Sequence, residues 1–232
     1  MTRRLLAIAW LLAFVGGFAD AASYILTKSF TGHVTGNTVL LAIHLVQMQW
    51  REAGVSAGAI VAFLAGTGSA EWLEISPGAP AAARQLRGPL LWEGALLLIA
   101  VGCLAQARVI GDAPGIVLFC LALGLQNGAL QKCGGASVHT TFITGMSTTW
   151  VTAEARYLSG QERWADRHKH LPARLGWMLL AFVAGAAAGG WLASHFHARG
   201  LTGIFVPLAG AFAIACADAE DNPTSPDQAA AS

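Results

Sequence analysis

The chain carries little charge. Asp, Glu, Lys and Arg supply 12% of its 232 residues, against roughly 25% in soluble domains. With 55% hydrophobic residues and a mean hydropathy of +0.54, that scarcity excludes a soluble globular protein and points to an integral membrane protein. A net charge of +1 without a sizeable basic patch leaves no footprint for nucleic acid. Cysteine is sparse too: Cys103, Cys120, Cys133 and Cys216 form no C-x-x-C pair, so a disulfide framework is not expected. Three of them lie in or beside apolar segments as packing residues, and Cys133, near a helix end, is the expected exposed thiol. No H-E-x-x-H spacing, phosphate-cradling glycine loop or nucleophile elbow occurs. A metal, a cofactor and enzymatic activity are therefore not expected.

What the chain has is apolar length. Crossing a hydrocarbon core about 30 Å thick takes about 20 helical residues, and eight runs qualify or nearly so: 5–27, 34–49, 54–73, 89–107, 114–131, 139–155, 175–193 and 201–217. The expected fold is all-α, a single polytopic bundle over residues 1–217, followed by a disordered acidic tail at 218–232. Runs two and six are short and rich in hydroxyls, so they can be tilted, broken or re-entrant where protein covers the backbone. Arg3 and Arg4 followed by an apolar run resemble a signal peptide. We retain the segment as the first helix, because residues 17–20 (GFAD) have an internal counterpart at 124–127 (GLQN).

That counterpart belongs to a longer pattern. Residues 31–36 (TGHVTG) match 140–145 (TTFITG), and 62–73 (AFLAGTGSAEWL) match 181–192 (AFVAGAAAGGWL), in the same order. Two repeats follow, about 5–107 and 114–217, with four helices each. Eight crossings with a cytoplasmic N-terminus place nine basic residues inside and five outside, in the sense of the positive-inside rule. Arg84 and Arg87 are the discordant pair. Trp50, Trp72, Trp92, Trp177 and Trp191 fall near helix ends, as interfacial belts require. Four helices per repeat predict two copies that run parallel. If the short helices are re-entrant, each copy has three crossings and the relation inverts.

Polar residues inside these runs are the candidate site. Asp20 sits deep in the first run, where a carboxylate is costly and faces a bundle interior or a water cavity. It serves either as a charge or proton carrier or as a hydrogen-bonding partner for a neighbouring helix; Asn127 is its uncharged counterpart, with Gln126 beside it. Thr31, Thr35 and Thr38 are spaced to share one helix face, as are Thr140, Thr144 and Ser147, with Thr148 and Thr149 adding hydroxyls. Gly36 and Gly145 allow close approach, and Asn37 adds an amide. A helix starting near Thr35 could receive an anion or polar oxygen at its N-terminus. The competing reading is tight helix packing with hydroxyls bonded one turn back. Glu71 and Glu93 are expected at helix ends, reaching interfacial water, with Glu93 the stronger functional candidate. His33 and His139 flank the T-G segments, and His168 and His170 lie in a solvated loop.

G-F-A-D-A at 17–21, V-T-G-N at 34–37, G-L-Q-N at 124–127 and T-T-F-I-T-G at 140–145 resemble the YoaK family of small bacterial multi-pass membrane proteins. The resemblance covers nearly the whole chain. It implies an inner-membrane location and a helical architecture, and it brings no substrate.

The expected function is passage of a small polar solute or ion between the two repeats. Asp20 would carry charge, Asn37, Asn127 and Gln126 would orient the solute, and Thr35, Thr38, Thr144 and Thr148 would line the route. Membrane lipid is the expected surrounding, and self-association into a homo-oligomer stays open. The alternative is a non-transporting membrane component, such as a sensor, assembly partner or structural subunit.

Overall fold

A computed structural model describes residues 3–73, 75, 82–134, 143–159 and 171–217. His139, Thr140, Thr141, His168, His170 and the acidic tail expected at 218–232 lie outside the described residues, as do the side chains of Thr144 and Met146. All regular structure among the described residues is helical: α1 (Arg3–Thr27), α2 (Val34–Val46), α3 (Trp50–Ser69) with a 3-10 turn (Ala70–Trp72), α4 (Ala82–Gln85), α5 (Arg87–Ala105), α6 (Ala107–Ile110), α7 (Ala113–Gly134), α8 (Ile143–Leu158), α9 (Leu171–Phe196), a 3-10 segment (His197–Ile204) and α10 (Phe205–Ala217).

α1 and α7 are buried over most of their length and form the centre. α3, α5 and α9 turn apolar side chains outward, among them Val61, Leu64, Leu98, Ile99, Leu180 and Val183. An apolar exterior around a packed interior is what a bilayer requires of a helical bundle. Exposed Trp72, Trp92 and Trp177 lie towards one end, and exposed Trp50 and Trp191 towards the other.

Two close helix crossings organise the interior. A Cβ on Gly17 of α1 would overlap the carbonyl of Phe182 in α9, and one on Gly185 would overlap that of Phe14. A Cβ on Gly124 of α7 would likewise overlap the carbonyl of Phe63 in α3, and one on Gly66 that of Leu121. Backbones at this distance tolerate only hydrogen at the contact, the small-residue packing typical of membrane helices. One turn further on, Gly189 meets the Phe18 carbonyl as Gly185 meets that of Phe14, and Gly128 meets the Thr67 carbonyl as Gly124 meets that of Phe63, so each pair is parallel.

The ends of the helices fix their directions. Arg4 donates to the Ala217 carbonyl (3.3 Å), and Arg87 to the carbonyls of Ala215 and Cys216 (3.1 and 2.7 Å). Lys132 Nζ donates to the carbonyls of Ala70, Glu71 and Leu73 at 3.1–3.2 Å, and α4 touches α1, α7 and α10. These groups share the end where α1 begins. At the opposite end, Leu26, Thr27, Arg51, Arg108, Asp112 and His197 line one crevice, with Arg51 and Asp112 paired at 2.7 Å. α1, α5 and α9 therefore run one way, and α3, α7 and the 3-10 segment with α10 run back.

Six passes result, not eight. The chain leaves α1 and starts α3 at the same end, so residues 28–49 enter the bundle and return without crossing. At the other end α8 packs on α9, where Trp150, Glu154 and Tyr157 line one cavity with Ala173, Gly176 and Trp177. Consequently α1 and α7, expected to be parallel, run in opposite directions.

Lys132 closes the C-terminal carbonyls of the α3 turn, which have no intrahelical partners. Lys132→Met should lower thermal stability by about 1–2 kcal/mol, read as a melting shift in detergent. An unchanged melt would mean that water serves those carbonyls equally well.

Candidate functional site

The polar centre of the molecule is the point where the chain turns back between α1 and α2. α1 continues seven residues beyond Asp20, a rise of about 10 Å, and residues 28–33 fold back over that distance. Asp20, 4% exposed, holds them there. Its Oδ1 accepts from the backbone N–H of Thr31 (2.9 Å), the N–H of Gly32 (2.7 Å) and the Thr31 hydroxyl (3.2 Å). Its Oδ2 lies 2.6 Å from His33 Nδ1. Successive amides converging on one carboxylate form an anion nest, placed beside the positive N-terminal end of α2. The anion that a helix start attracts is here supplied by the protein itself.

Asn37 makes the second clamp. Its Oδ1 accepts from Phe30 N–H (3.0 Å) and its Nδ2 donates to the Phe30 carbonyl (2.7 Å), so one side chain satisfies both backbone groups of one residue. Cys120 Sγ on α7 approaches the same carbonyl at 3.7 Å. The Phe30 ring stacks on Tyr24 (4.8 Å between centroids) and covers Gly36, where a Cβ would come within 2.9 Å of it.

His33 is the half-buried edge of this centre, between the rings of Phe30 and Phe182. Its hydrogen bond to Asp20 raises its pKa above the ordinary value of 6.5, partly opposed by burial. The stability the pair contributes is thus fully present below pH 6.5 and is lost as pH rises through the raised value.

The structure separates the residues that spacing grouped together. Thr31 precedes α2 and is buried, so it does not share a helix face with Thr35 and Thr38; those two are exposed, and Thr38 bonds back to the Val34 carbonyl at 2.8 Å. Thr148 and Thr149 are exposed on α8 and bond to the Gly145 carbonyl. Gln126 reaches α1, donating to the Leu12 carbonyl at 3.2 Å. Asn127 is buried, and its Oδ1 has no partner among the described residues. Asp20, Asn37, Thr31 and His33 thus form one cluster, Gln126 and Asn127 another on α7, and Thr35, Thr38 and Thr148 lie on outward faces.

Two expectations need correction. Cys133 is buried, whereas Cys103 and Cys216 are partly exposed. Glu93 does not reach interfacial water: it is 1% exposed, and both carboxyl oxygens lack a partner among the described residues. It falls in the buried stripe Leu90, Glu93, Leu97, Ala100 and Leu104, a spacing already visible in the sequence. The face on which the stripe packs was not.

Close small-residue crossings, an apolar exterior and a mid-depth turn held by a buried carboxylate define a multi-pass α-helical membrane protein. The chain belongs to the family described as protein of unknown function DUF1275, whose model matches residues 8–217. No curated protein and no solved structure matches it.

Proposed function

We propose that the protein is a bacterial inner-membrane permease of the YoaK type, passing a small polar solute or ion between two inverted halves. One observation carries this reading: Gly17 meets Phe182 as Gly124 meets Phe63, and Gly185 meets Phe14 as Gly66 meets Leu121, in helix pairs of opposite direction. Of these, Gly17 and Gly124, Phe182 and Phe63, and Gly185 and Gly66 are pairs that the sequence match equates. Each half would lend its first helix to the third helix of the other and insert one re-entrant segment, α2 or α8, from its own side. Inverted repeats with broken helices at mid-depth are how many secondary transporters build a site both membrane faces can reach in turn.

The six-pass topology also supports a cytoplasmic N-terminus. Among the described residues Arg3, Arg4, Arg84, Arg87, Lys132, Arg156 and Arg174 gather at the N-terminal end, against Lys28, Arg51, Arg108 and Arg199 at the other. Arg84 and Arg87, discordant under eight crossings, now agree with the positive-inside rule.

Engagement of both Asp20 oxygens favours the second reading, a non-transporting component in which the polar centre only holds α2. One experiment separates the two. Single cysteines at Thr35, Thr38 and Thr144, in a background lacking Cys103, Cys120, Cys133 and Cys216, are treated with a soluble and a lipid-soluble thiol reagent. A water-filled route gives labelling by the soluble reagent at all three. Labelling by the lipid-soluble reagent alone would place these faces against lipid and end the permease reading.

A further inference from the structure

We infer that Glu93 is a proton-binding site at the α5–α7 interface; under the permease reading, on which this step rests, the proton is the coupling ion. A Cβ on Gly115 of α7 would press on the Leu104 side chain and come within 3.1 Å of the Ala100 carbonyl, so the buried stripe of α5 that includes Glu93 faces α7. The two helices are antiparallel, joined by the short stretch that contains α6. Counting from that contact sets Glu93 at the depth of the α7 turn around Gly124, which also carries Gln126 and Asn127. Two buried oxygen-bearing groups, the Glu93 carboxyl and the Asn127 amide oxygen, have no partner among the described residues.

Among the described residues no fixed charge stands ready to hold Glu93 as an anion. α7 brings Cys120 and Cys133, with Asp112 and Lys132 at its two ends. α10 brings Leu208 against the neighbouring Gly94, and Cys216 at its end. His197 and Arg199 of the 3-10 segment lie at the far end, α6 adds Arg108 there, and Arg84 of α4 and Arg87 of α5 itself lie at the near one. A buried carboxylate without counter-charge or donors is far costlier than the neutral acid. Loss of the proton therefore requires water or a donor to enter the interface. Ionisation and opening of the α5–α7 contact are two sides of one equilibrium.

The test uses the full chain in liposomes, treated with a lipid-soluble carbodiimide across roughly pH 5 to 9 and read by peptide mass spectrometry. The acid O–H adds across one C=N bond, its proton passing to nitrogen and its oxygen to carbon. An acyl shift then leaves a stable N-acylurea, and nothing departs. The expected result is modification at Glu93 that falls about tenfold per pH unit above the group's midpoint, and none at that site in Glu93→Gln. The wild-type chain carries the decision, so a variant that fails to assemble does not block it. Modification that is absent, or present but independent of pH, overturns the proposal, since a proton site must equilibrate with the medium. The permease reading is judged separately by thiol labelling. A titrating Glu93 with lipid-facing Thr35 and Thr38 leaves a proton sensor, and a silent Glu93 beside a water-filled route leaves a permease without proton coupling here.

Discussion

Asp20→Ala should unfold the α1–α2 turn and cost about 3–5 kcal/mol, the largest effect expected of any side-chain substitution. The variant leaves the amides of Thr31 and Gly32 and the Thr31 hydroxyl without their acceptor, in a place where Thr31 is only 1% exposed. Asp20→Asn can keep its amide oxygen in the Oδ1 place, accepting from both backbone N–H groups and the Thr31 hydroxyl, while its amide nitrogen cannot accept from a protonated His33, so its loss should be smaller than that of Asp20→Ala. Two measurements report this: the melting midpoint in detergent, and protease cleavage between α1 and α2. The pH profile adds a check. Wild-type stability should fall as pH rises past 6.5 and through the raised His33 value, whereas Asp20→Asn should lack that slope. A variant with wild-type melting and cleavage would show that the loop is held by Asn37 and Phe30 instead.

Gly17→Val and Gly124→Val should each lose about 3 kcal/mol or more, because the added Cβ meets a backbone carbonyl and not the end of a flexible side chain. Relief requires the whole helix to move. If the two crossings are equivalent, the two losses should be similar, and each should exceed that of Gly102→Val on the same bundle, where a Cβ meets nothing within 4 Å. Equal melts for Gly17→Val and Gly102→Val would mean that the α1–α9 contact opens at little cost. A large loss at Gly17 with none at Gly124 would count against the two halves being built alike.

The positions of α1, α3, α5, α7 and α9 were legible because membrane hydropathy is local and additive: some twenty residues announce a span whatever surrounds them. α2 was legible as short and polar for the same reason, and its predicted start at residue 34 coincides with the helix. Its destination was not. Whether a helix of 13 residues crosses or turns back depends on whether residues 28–33 are held inside the bundle. That is decided by Asp20, Asn37 and Phe30 meeting across a turn.

Asp20 itself shows the same division. Sequence could say that a carboxylate in an apolar helix must have partners, because the cost of burial is a property of the group. It could not say that the partners would be the chain's own amides, since those come from residues whose backbone geometry the turn creates. Glu93 went the other way: close to the start of its apolar run and next to Trp92, it reads as interfacial, and only the packing of α5 on α7 removes it from water.

By itself, then, the sequence determined the solvent of this protein, its helical class, the matched segments and the identity of the polar residues, all of which follow from local composition. The tertiary structure alone decided helix direction, the six passes, and which polar groups are satisfied. Those depend on register between distant helices, and register is set by contacts such as Gly17 on Phe182 and Gly124 on Phe63 that no single segment contains.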